Sequence, residues 1–163
     1  MKKIQYRFLA VIFVVALFSA CTAIYEDGKD LASVAKANVK QVEADTLKSM
    51  IDNGEEFLLI DVRQPAEYEA GNITGSFSIP RGELEFLITD EMFWEEQFMY
   101  VPLKTDKIIV YCKAGDRGIL AVQALQKLGF NNVYNLKGGM NAWKEAGYPL
   151  LEKQSPEHKD DKL

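Results

Sequence analysis

Histidine is nearly missing from this sequence: the single one, His158, lies in a polar C-terminal stretch. Its isolation excludes Cys–His catalysis and any metal site of Cys and His ligands, because both need a second group held in reproducible geometry. Cysteine is almost as scarce, with only Cys21 and Cys112. Internal repeats, low-complexity blocks and basic stretches interleaved with aromatics are absent, which argues against solenoids and against nucleic-acid partners. Basic residues number 19 against 24 acidic ones, a net charge of -5, so no positive excess invites a polyanion. What remains is an ordinary globular composition, 48% hydrophobic and 26% charged over 163 residues, which suits one compact domain with a sizeable core.

The N-terminus differs in kind from the rest. Lys2, Lys3 and Arg7 precede the apolar run FLAVIFVVALFSA at 8–20, and Cys21 follows directly. A basic region, an apolar region and small residues before a cysteine form the pattern of an export signal. Phe8 to Ile24 is 17 residues, the short edge of the roughly 17 to 25 that span a bilayer, so a retained anchor stays open as the alternative. Ser19 and Ala20 before Cys21 resemble the lipobox of bacterial lipoproteins, where cleavage leaves a lipidated N-terminal cysteine; Phe18 departs from the usual aliphatic residue, with Leu17 beside it. This resemblance implies a signal peptide over 1–20, lipid attachment at Cys21 and an exported, membrane-anchored protein facing the periplasm or cell exterior. The mature chain would carry 16 basic and 24 acidic residues, a net of -8, so acyl chains rather than charge would hold it to a membrane. Cys112 would then be its only thiol.

Residues 21–37 read as a tether or a loosely packed helix, 38–150 as the folded domain, and 151–163 as a polar, disordered tail. Within the domain, NVKQV at 38–42, FLLID at 57–61, SFSIP at 76–80, KIIVYC at 107–112 and NVYNL at 132–136 read as strands. Helices alternate with them: ADTLKSMID capped by Asp45, a short turn from Pro65 to Tyr68, GELEFLI, residues 117–129, and MNAWKEAG at 140–147. The stretch at 87–103, LITDEMFWEEQFMYVPL, reads as an extended helix packing its aromatics on the sheet, with a lid or partner surface as the alternative. Alternating strands and helices predict a central, mainly parallel sheet with helices on both faces, an α/β three-layer fold.

Ligands of such sheets bind beyond the carboxyl ends of the strands. Cys112 stands at such an end, in YCKAGDRG, where the loop leads straight into a helix. Backbone N–H groups and the helix start can hold a thiolate there, Lys113 and Arg117 add positive charge, Asp116 opposes them, and Gly115 lets the loop turn tightly. Composition alone would make Cys112 an inert buried cysteine.

Three separated motifs reverse that reading. The loop at 111–118, the segment LLIDVRQPAEYEAGNITGS at 58–76 and the closing NLKGGMNAWKEAGYP at 135–149 resemble, in order, motifs of the rhodanese sulfurtransferase family. Asp61, Arg63, Glu67 and Gly71 fit the second motif; Gly138, Gly139, Trp143, Gly147 and Pro149 fit the third. Asn72, Thr74 and Gly118 depart from the usual His, Pro and Ser or Thr. The resemblance implies a sulfurtransferase in which Cys112 becomes a persulfide, loaded from a small sulfur-donor anion such as thiosulfate or from a persulfide, and discharged to a thiol acceptor, small or protein, or to a cyanide-like one. Residues Lys113, Ala114, Gly115, Asp116 and Arg117 would bind the donor and the persulfide, Arg117 attracting an anionic donor. Neither metal nor organic cofactor is implied. Arg63 and Glu67 read as a structural ion pair, Asp61 as an anchor of the loop, Trp143 as core and Arg81 as a surface residue. Two competitors stay open: a binding module on the same scaffold without turnover, and a phosphatase or arsenate reductase, whose loop is one residue longer than the four residues between Cys112 and Arg117.

Overall fold

The computed structural model describes residues 23–151. The signal-like run, Cys21 and the tail with His158 lie outside the described residues. Among the described residues no helix is long and apolar enough to cross a membrane.

Five strands form one parallel sheet: β1 (Lys40–Val42), β2 (Leu58–Asp61), β3 (Ser76–Ser78), β4 (Ile108–Tyr111) and β5 (Val133–Leu136), in the spatial order β1-β5-β4-β2-β3. Both central strands, β2 and β4, are buried at every position, which is why LLID and IIVY read as unbroken apolar runs. Side chains alternate between the faces. Leu58, Ile60, Ile108, Val110 and Cys112 enter one core, and Leu59, Ile109, Tyr111 and Leu136 enter the other. The first core is covered by α1 (Gly28–Ala35), α4 (Leu84–Leu87), α5 (Glu91–Glu96) and α6 (Asp116–Lys127). Across the sheet lie α2 (Ala44–Asp52) and α7 (Gly139–Glu145), while the short α3 (Pro65–Glu69) follows β2. The three-layer α/β expectation therefore holds.

Three sequence readings need correction. The segment read as a tether or a loosely packed helix holds a firmly packed one, α1, capped by Asp27, whose carboxylate accepts the N–H groups of Lys29 and Asp30 at 2.8 Å each. Ala32 and Ala35 bury this helix in the first core against α6. Two alanines make a close contact but a faint apolar stripe, so the sequence signal was weak. At the other end, Leu151 is no tail residue: its N–H and carbonyl exchange hydrogen bonds with Asn72 at 2.8 and 3.1 Å. The cap of α2 is Glu43 rather than Asp45, whose carboxylate instead accepts the Tyr148 hydroxyl.

The stretch at 87–103 is also not one helix. Asp90 breaks it and caps α5, and Phe98, at a φ of 56°, ends α5 in a left-handed residue while the Met99 N–H reaches back to the Trp94 carbonyl. Trp94 is buried, edge-on to Phe77, with its indole N–H on the Ile88 carbonyl, whereas Phe98 and Tyr100 face solvent.

Enlarging a contact that excludes Cβ-sized gaps costs about 1–3 kcal/mol. Ala32→Leu is therefore expected to lower the free energy of unfolding by about that amount in a urea titration. A loose tether would tolerate the same change within about 0.5 kcal/mol.

Candidate active site

Cys112 follows β4 directly, and its position is set by the sheet on one side and by two converging helix starts on the other. Its thiol is free and 1% exposed. Gly115, at a φ of 107°, turns the chain into α6 and donates its backbone N–H to Cys112 Sγ at 3.1 Å. A side chain is disfavoured at that angle. The sulfur thus sits inside the turn, beside the positive end of a twelve-residue helix.

The start of α7 closes the cradle from behind. Met140 donates its N–H to the Cys112 carbonyl at 2.8 Å, and Asn141 donates to the Lys113 carbonyl at 3.0 Å. A Cβ on Gly139 would collide with the Cys112 carbonyl, so a glycine there is a condition of the approach. This gives the closing Gly138–Gly139 motif a physical role: it fixes the peptide that carries the thiol.

Of the loop residues assigned to the site, the structure brings the Gly115 N–H to the sulfur. Lys113, Ala114 and Asp116 are exposed at its mouth. Arg117 is half-buried and makes a forked ion pair with Glu67, Nη1 to Oε2 at 3.1 Å and Nη2 to Oε1 at 3.2 Å. The hydrogen bond from Arg117 holds the Glu67 carboxyl below its ordinary range, and the same bond raises Arg117, with the nearby Cys112 sulfur adding to it. Arg117 therefore stands between a carboxylate and the thiol.

The expected Arg63–Glu67 pair does not form. Arg63 binds Asp61 instead, with Nε on both carboxylate oxygens at 3.0 and 2.9 Å and Nη2 on Oδ2 at 2.6 Å. A further bond from Nη2 to the Gly71 carbonyl, at 2.8 Å, ties down the segment after α3. Burial works against the Arg63 charge, but the bonds to Asp61 outweigh it and raise its pKa. Tyr111, one residue before the cysteine, lies under Arg63 and links Ser76 and the Ile73 N–H through its hydroxyl. Asp61 does anchor this segment, through Arg63. Arg81 is part-buried, pairs with Glu85 and reaches the Leu120 carbonyl on α6.

Sequence reasoning missed Asn135. Its side chain is 0% exposed below the loop, and neither amide atom has a hydrogen-bond partner among the described residues. A Cβ on Gly118 would collide with its Oδ1. Gly118, which departs from the usual hydroxyl residue, was the available signal: the absent side chain is the space that Asn135 occupies.

The Rhodanese-like domain family model matches residues 43–146. The chain belongs to the rhodanese family. A putative mitochondrial thiosulfate sulfurtransferase of Schizosaccharomyces pombe is 36% identical over 90 residues, 54% of this chain and 63% of that protein, so the match spans about three fifths of that relative's length. Human single-domain sulfurtransferase TSTD1 is 31% identical with a TM-score of 0.60, covering 66% of this chain and 96% of its own. A Rhodopseudomonas palustris protein of unknown function, described as a possible tyrosine phosphatase, is 29% identical with a TM-score of 0.66, covering 80% and 98%. The rhodanese family and its sulfurtransferase relatives support an enzyme of the sulfurtransferase kind.

The two arginine pairs of this rhodanese domain differ in burial, and that difference is measurable. Arg63 and Asp61 are 6% and 0% exposed in their side chains, whereas Arg117 and Glu67 are 37% and 31% exposed. Stranding a buried carboxylate costs about 3–5 kcal/mol, while losing a solvated pair costs at most about 1 kcal/mol. Arg63→Met is expected to lower stability by the larger amount and Arg117→Met by the smaller, read from chemical denaturation of each variant.

Proposed function

We propose that this protein is a persulfide-forming sulfurtransferase with Cys112 as its nucleophile. The carrying observation is the buried thiol that accepts the Gly115 N–H at 3.1 Å inside a loop opening into α6. A thiolate needs no histidine where backbone donors and a helix start stabilise it. Thiolate Cys112 attacks the outer sulfur of a donor; the donor's S–S bond breaks, and its electron pair leaves on sulfite or on a thiolate. The outer sulfur remains on Cys112 as a persulfide. An acceptor thiolate or cyanide then attacks that terminal sulfur and restores the Cys112 thiolate. Residues 113 to 117 form the wall around the transferred sulfur, with backbone N–H groups stabilising its negative charge.

Four residues between Cys112 and Arg117 make a cradle suited to one sulfur atom, which disfavours the phosphatase reading. The physiological setting we propose is outside the cytoplasm, on a lipid anchor at Cys21. The basic and apolar run before Cys21 supports this, and so does the lone remaining thiol, which has no partner for an intramolecular disulfide.

After incubation of the reduced protein with thiosulfate or a low-molecular-weight persulfide, intact mass is expected to rise by one sulfur atom. The gain should disappear on cyanide treatment and be absent from Cys112→Ser. A protein that takes sulfur from neither donor would be a binding module instead. For the anchor, Cys21→Ser in the full chain is expected to move the protein from the membrane fraction to the soluble fraction or to leave it unprocessed; membrane association of a processed chain unaffected by the change would refute lipid attachment.

A further inference from the structure

All three arginines among the described residues end on a carboxylate: Arg63 on Asp61, Arg81 on Glu85 and Arg117 on Glu67. At the mouth of the Cys112 loop this has a consequence for the donor. The guanidinium nearest the thiol is already held by Glu67 through two hydrogen bonds, from a residue 50 positions away in sequence. Lys113 and Asp116, both exposed in the loop, carry opposite charges. Together with the Arg117–Glu67 pair, these side chains add no net charge, on a chain whose overall charge is -5.

Thiosulfate is a dianion whose sulfonate-like end must be placed beside the cysteine and then leave as sulfite. Nothing at this mouth offers that end an unpaired guanidinium, and the net charge of -5 on the chain works against the approach of a dianion. An organic persulfide makes a smaller demand. Its leaving group is a thiolate on a carbon chain, and the protonated terminal sulfur that Cys112 attacks carries no charge that an arginine must bind. Building on the sulfurtransferase reading, we infer that Glu67 is a specificity-determining residue: by occupying Arg117 it selects an organic persulfide over thiosulfate as the sulfur donor.

The step balances without a further reactant. Cys112 thiolate attacks the terminal sulfur of R–S–S–H, the donor S–S bond breaks, and RS⁻ departs with the electron pair. The new S–S bond joins that sulfur to Cys112, and the proton stays on the transferred sulfur. Glu67 takes no part in bond making; it acts through Arg117, as a positioning residue. Its lowered pKa keeps it ionised, and the pair formed, throughout the neutral range.

The test compares two donors, cysteine persulfide and thiosulfate, in the wild type, Glu67→Gln and Glu67→Asp, with kcat and KM measured separately and the sulfur gained by Cys112 weighed in each case. Wild type is expected to show a kcat/KM for cysteine persulfide at least about tenfold above that for thiosulfate, the scale on which charge at a cleft changes encounter. Glu67→Gln frees Arg117 and should raise the thiosulfate-to-persulfide ratio by about tenfold, mainly through a lower KM for thiosulfate; Glu67→Asp should keep the ratio nearer the wild type. In the wild type alone, added salt should speed the thiosulfate reaction by screening repulsion. Equal use of both donors by the wild type, an unchanged ratio in a folded Glu67→Gln, or a thiosulfate rate that salt slows would overturn the inference. Should Glu67→Gln fail to fold, the salt dependence of the wild type still decides it. If neither donor places sulfur on Cys112, the sulfurtransferase reading falls and this inference with it, an outcome distinct from loading by thiosulfate as readily as by persulfide.

Discussion

The peptide carbonyl of Cys112 accepts the N–H of Met140, and the rest of the site is arranged around that bond. It joins the end of the central strand β4 to the start of α7 from the far side of the sheet, at a separation that leaves no room for a Cβ on Gly139. With the cysteine peptide fixed from behind, the loop can only turn forward, through Gly115, into α6 on the other face. The thiol is thereby held at a point where two helices begin, and both direct N–H groups toward the same short stretch of chain. In the proposed reaction this construction takes the place of a histidine. A general base would have to be positioned and titrated, whereas backbone donors are present at every pH.

The same end of the sheet carries a second anchor of different chemistry. Arg63 and Asp61 are buried and joined by three side-chain hydrogen bonds, and Arg63 also reaches Gly71. Tyr111 stacks beneath it and bonds Ser76 and the Ile73 N–H, so the segment between β2 and β3 is tied to the strand that bears the cysteine. Glu67 rides on this segment. Its place opposite Arg117 is thus inherited from a buried network, although the Glu67–Arg117 pair itself is partly solvated. A surface pair of this kind adds little stability. Its effect is on the charge presented to whatever enters the loop.

Much of this was legible in the chain. LLID and IIVY read as buried parallel strands, because such strands need apolar residues on both faces and those runs supply them. The cysteine at a strand end followed by a glycine and a helix was equally plain, as was the closing Gly-Gly pair. What escaped depended on partners far apart in sequence. The motif containing Asp61, Arg63 and Glu67 offers two carboxylates to one nearby guanidinium, and proximity favoured Glu67, four residues on. Burial decided otherwise: a fully enclosed Asp61 requires the cation, whereas Glu67 stays near water and takes the arginine that reaches it. The close packing of the first helix escaped for the opposite reason, since alanine packing carries information in closeness rather than in hydrophobicity.

Asn135 shows how such hidden partners shape the site. It sits in a strand whose neighbours Val133 and Leu136 are apolar and buried, so its amide is costly unless it is used. The cost is concentrated under the cysteine loop, where Gly118 has given up a side chain to accommodate it. A serine at 118 would supply a hydroxyl toward the loop but would displace the amide; the present pairing keeps a polar group below the loop while leaving α6 free to approach β5. Gly118 and Asn135 are therefore coupled in space, the one lacking the side chain whose place the other fills. What the Glu67–Arg117 pair adds beside that loop is charge rather than packing, two opposite groups held 3.1 Å apart and partly in contact with water.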